Sequence, residues 1–432
     1  MRGPRARKTG FFRGAAALLA TIALCGPLAA RPQGATADPD TARFLSLLQR
    51  WGSDSDTFPV YVDARSFERE TGASYTGQIL AMMASELGMY DEAIANWPLG
   101  PGEMRSDPAA VPEGARAADA AATIARLARE RRVVIINEAH HAAQTRALFL
   151  ELMPQLRESG FGWYCAETLG TADMTRMREQ GFPVRGSGTY SKEPIFGEVL
   201  RDAMRLGFTP CAYESIASDT QQARETGQAE NLAHLLREHP DARILVHAGY
   251  GHARKDVTVN DAQPMAAELK RLTGIDPLTV DQTTLAPISP PERENPAYRP
   301  LLARLGDAAR ATVFIAADGR AWSLEPHAYD VSVVLPALAP RHGRAGWLWA
   351  IPGKTVVTGF DADCLDRYPC AIEARHAGES EDAVPADVIV RESGAAMVPA
   401  LALFPGEYRI RAVAADGALL RETSLTVGAA RP

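Results

Sequence analysis

Four ionisable residues stand where apolar runs end: Glu138 after VVIIN, Glu167 after WYCA, Glu214 after PCAY and His252 shortly after ILVHAG. Two more imidazoles, His140 and His141, follow Glu138 directly in the stretch RRVVIINEAHH. A histidine flanked by carboxylates can take a proton from water while a carboxylate fixes its tautomer and stabilises the imidazolium. The same side chains can instead hold a divalent metal that activates water, with Glu138, His140 and His252 as ligands. Both routes end in hydrolysis. One polar residue at a strand end commonly opens a loop or caps a helix; four in succession argue for a shared crevice lined by Glu138, His140, His141, Glu167 and His252 as candidate catalytic groups.

Spacing leaves the first motif ambiguous. If the chain stays extended past Glu138, residues two apart share a face and His140 joins the glutamate. If a helix starts at once, residues three apart become neighbours and His141 takes that place. Gly249 and Gly251 around Tyr250 permit a tight turn that presents His252. Glu214 and Tyr250, on the same rim, are expected to contact substrate. His247, inside an apolar run, reads as a core histidine.

The elements that must position these groups alternate. Short runs (VVIIN, GWYCAE, TPCAYE, RILVHAG, PLTVDQ) are separated by helical stretches such as QTRALFLELMPQLRES, PIFGEVLRDAMRLG and QQARETGQAENLAHLLREH. That alternation predicts an α/β fold, a mainly parallel sheet flanked by helices over residues 131–345, whose strand C-termini share one ligand-binding edge. Residues 38–130 carry apolar residues at three-to-four spacing, including ARAADAAATIARLARERR read as one helix, and form a helical region packed on the main domain. Residues 346–432 lose that period and read as a small antiparallel β-sandwich with an Asp416-Gly417 hairpin turn.

The basic, then apolar, then small-residue pattern of residues 1–37 predicts a secretory signal peptide, hence a periplasmic or secreted protein. Cys25 lacks the small residue that a lipoprotein box wants before it, so lipid anchoring is not expected. Removing those residues takes away six cations and no acids, moving the formal charge from -7 to -13. Without a basic patch, an acidic chain is a poor nucleic-acid partner. Later apolar runs are too short to span a bilayer. Cys364 and Cys370 could close a small disulfide loop, whereas Cys165 and Cys211, inside apolar runs, read as core thiols. There is no Gly-x-Ser-x-Gly elbow, Walker loop, dinucleotide turn or His-Glu-x-x-His helix.

In their order and spacing, INEAHH, the strand ending in Glu167, GSGTYSKEPIFGEVLRDAMRLG, QARETGQAENLAHLL and HAGYGH resemble the erythromycin esterase and ChaN-like superfamily, which includes Tiki and TraB-type proteins. The resemblance spans about residues 130–285. It implies a site of Glu138, His140 or His141, Glu167 and His252, with Arg224 and Tyr190 as further ligand contacts, Tyr190 lying in a segment that lids the pocket. Asn137 departs from the pattern, standing where the family has glycine, which implies tighter backbone approach to a ligand. Within the superfamily, erythromycin esterases look like metal-free His-base hydrolases, Tiki-like members like metalloproteases, and ChaN-like members bind haem. The resemblance thus implies a small-molecule pocket and leaves two functions open. One is a hydrolase of esters or amides, with no cofactor or with a divalent metal. The other is a non-catalytic protein that captures haem or another small molecule.

Overall fold

The computed structural model describes residues 39–428 apart from 53–55, 74–75, 101–107, 172–173, 216–219, 257–261 and 307. The predicted signal segment, with Cys25, lies outside the described residues.

Helices α1 (Pro39–Trp51), α2 (Thr57–Thr71), α3 (Gly77–Glu86) and α4 (Tyr90–Asn96) open the fold. The stretch read as one helix divides: β1 (Arg116–Asp119) precedes α5 (Ala120–Ala128). β1 pairs antiparallel with β7 (Thr312–Ile315), a partner nearly two hundred residues away that local periodicity cannot report. Asp119 then caps α5 by accepting from Ala122 N at 2.8 Å.

The centre is β2 (Val133–Glu138), α6 (Gln144–Glu158), β3 (Trp163–Ala166), α7 (Met174–Gln180), α8 (Pro194–Arg205), β4 (Thr209–Ala212), α9 (Gln221–Glu238), β5 (Ile244–Gly249), α10 (Met265–Thr273), β6 (Leu278–Asp281), α11 (Tyr298–Leu305) and, after β7, β8 (Val331–Ser332). The sheet order is β4-β3-β5-β2-β6-β8, and every neighbouring pair is parallel. This is the parallel sheet that the alternating pattern predicts. Strand residues alternate between two apolar layers. Val134, Ile136, Tyr164 and Leu245 pack with Phe149, Met153 and Val199 of α6 and α8 on one face. Val133, Ile135, Val246 and Ala248 pack with Leu232, Leu236 and Leu269 of α9 and α10 on the other. Covering both faces explains why these strands are almost wholly apolar.

Cys165 and Cys211 are cross-strand partners on β3 and β4, and they form a disulfide with Cα atoms 4.4 Å apart. This corrects the reading of two separate core thiols: adjacent parallel strands brought side chains 46 residues apart into register. The Cys364–Cys370 disulfide is also present.

After residue 346 the chain forms β9 (Thr355–Val357), β10 (Cys370–His376), β11 (Asp387–Arg391), β12 (Leu401–Leu403), β13 (Gly406–Ala414) and β14 (Leu419–Val427). Two antiparallel sheets, β11-β10-β13-β14 and β12-β9, enclose a core that includes Ile372, Ile389, Leu401 and Ile410. The sandwich rests closely on the N-terminal helices. Gly88, in the α3–α4 turn, has φ +69°, and a Cβ there would lie 2.2 Å from Val388 O. Among the described residues no helix is long and apolar enough to cross a membrane.

A buried cluster of imidazoles, carboxylates and arginines

β2 stays buried to its last residue, so Glu138 enters the interior with 1% of its surface exposed. Such a carboxylate needs a fixed counter-charge. Arg146 of α6, itself with no exposed surface, supplies it. Its Nε donates to Glu138 Oε2 at 2.6 Å, Nη1 to Glu193 Oε2 at 3.1 Å and Nη2 to the His140 carbonyl at 2.8 Å. Burial alone would raise the Glu138 pKa; Arg146, His247 and His140 together hold it well below the usual carboxylate range.

β2 ends at Glu138 and residues 140–141 form a turn closed by Ala142 N donating to Ala139 O at 2.8 Å, and within it the ambiguity of the two histidines resolves geometrically. His140 shares the face of Glu138, its Nδ1 2.9 Å from Glu138 Oε1. The ring is bracketed by Tyr190 at 4.3 Å and by the edge of Tyr250 at 4.8 Å. His141 turns away. It stacks on Trp97 at 4.0 Å, and its Nδ1 lies 3.3 Å from Tyr250 Oη. Burial, with the positive surroundings of His140 and Arg146, pushes the His141 pKa down to about 3, so it is neutral.

Glu167 follows β3 directly. It accepts from Gly249 N at the end of β5 and from Arg224 Nη2 at 2.6 Å. Gly249 is required there by space: a Cβ would sit 2.4 Å from His140 Cε1, 2.8 Å from His140 Nε2 and 2.8 Å from Glu167 Oε2. His140 Nε2 and Glu167 therefore meet over a bare backbone. Burial would raise the Glu167 carboxyl too, yet His252, Arg224 and His140 lower it.

His252 lies in the turn after β5, with Nδ1 2.8 Å from Glu225 Oε2 and Nε2 3.1 Å from Arg224 Nη1 and 3.6 Å from Glu167 Oε1. Burial favours its neutral form, but Glu225 and Glu167 outweigh that and raise the pKa. Glu225 is itself fixed by Met265 N at 2.7 Å, the start of α10. Glu214 is taken up by Arg224, by Gln228 Nε2 at 3.0 Å and by Ser215 N. It anchors the arginine rather than facing an open pocket.

Asn137 points to the opposite face of β2. Its Nδ2 donates to Tyr250 O at 3.1 Å and Asp281 Oδ1 at 2.8 Å, while its Oδ1 accepts from Gln282 N at 2.8 Å. The Asn137 side chain thus ties β2, β6 and the His252 turn together without entering the cluster. His247 packs behind Glu138, with Nδ1 2.7 Å from Tyr164 Oη and Nε2 3.4 Å from Glu138 Oε2.

Sequence reasoning missed Arg146, Glu193, Glu225 and Trp97. Two of these carried a signal. Arg146 opens the stripe Phe149, Met153, Leu156 on α6, and Glu225 opens Ala229, Leu232, Leu236 on α9; a charge at the head of a buried helical stripe demands a buried partner.

The cluster is roofed. Glu138, His140, Glu167 and His252 are 1%, 5%, 5% and 7% exposed, so the open, water-reachable crevice expected of this edge is closed. Clefts open elsewhere, one beside Trp347 and Gln144, another between Thr57, Glu86 and Arg375. The residues present suit neither cofactor well. Glu138 and Glu167 already carry guanidinium partners, which would repel a divalent ion, and among the described residues no group of three or more His, Cys, Asp or Glu side chains is arranged to hold one. A haem would need a flat slot beside an axial ligand, whereas His140, His141 and His252 are buried in the roofed cluster.

No family model matches the chain, and no curated protein does. Among solved structures, it is similar to RRSP, a MARTX toxin effector domain from Vibrio vulnificus CMCP6 (TM-score 0.27, 16% identity, 52% of this chain and 44% of that one). A structure described as "Bacterial protein toxins" gives a TM-score of 0.31 at 14% identity over 66% of this chain and 69% of the other. The chain thus aligns with under half of the RRSP chain. Likenesses this weak carry no argument about function.

Proposed function

We propose that this protein is a secreted or periplasmic hydrolase that cleaves an ester or amide of a small molecule with water activated by His140, without a metal. The observation that carries the reading is the Glu138 Oε1–His140 Nδ1 contact at 2.9 Å. A carboxylate held ionised by Arg146 accepts the Nδ1 proton, which leaves the Nε2 lone pair as the base. As water oxygen attacks the carbonyl carbon, its proton passes to His140 Nε2, and Glu138 stabilises the imidazolium. The positive charge on Arg224, with His252 beside it, favours the negative charge developing on the carbonyl oxygen. Collapse of that intermediate breaks the bond to the leaving group, which takes the proton back from His140. Substrate entry requires the rings of Tyr190, Tyr250 and Trp97 to move aside. The resemblance of the Glu-x-His, Glu and Gly-x-Gly-His elements to erythromycin esterases supports the same assignment.

The test is a panel of activated esters and amides assayed with and without a chelator. Turnover that survives chelation is expected. Turnover that disappears with chelator and returns with metal would overturn the metal-free assignment, and no turnover on any substrate would overturn the hydrolase.

A further inference from the structure

The charge network does not stop at Arg146. Glu193 Oε2 accepts from Arg146 at 3.1 Å, and its Oε1 accepts from Tyr90 Oη at 2.8 Å. The same carboxylate caps α8, accepting from Ile195 N at 2.9 Å and Phe196 N at 2.7 Å. Glu193 and Arg146 have no exposed surface, and Tyr90 has 4%. Tyr90 belongs to α4 in the N-terminal helical region, 50 residues from His140 in sequence. Behind it lies Arg344, 5.8 Å from the Tyr90 ring and paired in two-pronged fashion with Asp387 of β11 at 2.8 and 3.1 Å. A line of buried groups therefore runs from the sandwich through α4 to the imidazole.

We propose that Tyr90 and Glu193 are positioning residues for His140, acting through Arg146 and Glu138. The reasoning is geometric and rests on the reading above for what His140 does. Arg146 spans three acceptors: Glu138, Glu193 and the His140 carbonyl. A guanidinium is a rigid fork, so fixing one prong fixes the others. Glu193 is immobilised by the helix cap on one side and the Tyr90 hydroxyl on the other. Arg146 is thereby locked, Glu138 is held with Oε1 toward Nδ1, and the ring is kept in one tautomer. Neither Tyr90 nor Glu193 needs to touch substrate.

The experiment uses the full protein labelled with 15N-histidine. His140 is assigned by the signal lost in His140→Gln, and its Nδ1–H resonance reads the bond to Glu138 without substrate. In Tyr90→Phe that resonance is expected to shift or broaden, with thermal denaturation showing a folded protein. Where activity is measurable, kcat should fall about tenfold at unchanged KM, the mark of misplacement rather than lost binding. Glu193→Gln, which preserves size and one acceptor oxygen, should perturb the same resonance and serves should Tyr90→Phe not fold. An unchanged Nδ1–H signal in both variants overturns the relay. Because the signal is read on the free protein, failure of the hydrolase reading leaves this test intact.

Discussion

At the residue scale, the decisive feature is that Glu138, Glu167 and His252 each have a buried charged partner. Of the two histidines that follow Glu138, His140 is the one in contact with it, so replacing its neighbours should act through it. Gly249→Ala introduces a Cβ 2.4 Å from His140 Cε1 at a backbone conformation alanine tolerates. Activity should drop by on the order of a hundredfold through displacement of the ring, read as kcat on a standard ester. Unchanged kcat would mean that the position of His140 does not matter. Glu138→Gln leaves Arg146 buried beside a neutral amide and should cost about 3 kcal/mol in urea denaturation. His141 gives a pH-dependent prediction. Its folded pKa of about 3 lies below the ordinary 6.5. The unfolded chain therefore binds the extra proton first, and the associated stability is present above 6.5 and lost as pH falls toward 3. His141→Phe should narrow the gap between denaturation midpoints at neutral and acid pH; an unaltered gap would contradict the burial of a neutral ring. In the sequence, Glu138, Glu167 and His252 were legible because strand-end position reports a shared edge, whereas Arg224, on a helix, came only from the family resemblance. Arg146 and Glu225 signalled only that each needed a buried partner, and Glu193 not even that, since which carboxylate meets which arginine depends on helix docking.

At the element scale, β2 to β6 could be read because burial on both faces leaves unbroken β-branched and apolar runs. The strands β1, β7 and β8 escaped notice, being short pieces of two to four residues defined by distant partners rather than by their own composition. The same limit hid the Cys165–Cys211 bridge: strand order places β3 beside β4, and only then do the two sulfurs meet. This bridge lies just before Glu167 and Glu214, the two acids that grip Arg224. With a separation of 46 residues it should stabilise the fold by about 4 kcal/mol on loop entropy. The double replacement Cys165→Ala and Cys211→Ala should lower the melting temperature accordingly, measured by circular dichroism with the other bridge intact. A variant as stable as the parent would show that the parallel ladder alone fixes these strands.

At the scale of the whole molecule, the helical N-terminus and the C-terminal sandwich are parts of one packed body with the sheet. A continuous apolar cluster joins Phe58, Met83 and Trp97 to Val134 and Ile136 of the sheet and to Ala371, Val388 and Ala402 of the sandwich. Calorimetry should therefore show a single cooperative transition, and two well-separated ones would mark independent units. Function turns on one group, His140, as the proposed base of a hydrolase. Its most direct measurement is the rate of hydrolysis of a responsive ester by the wild-type protein and by His140→Gln, with both confirmed folded. With His140 as the base, kcat should fall by about a hundredfold to ten-thousandfold, the usual contribution of a positioned base. Equal rates in the two proteins would contradict it.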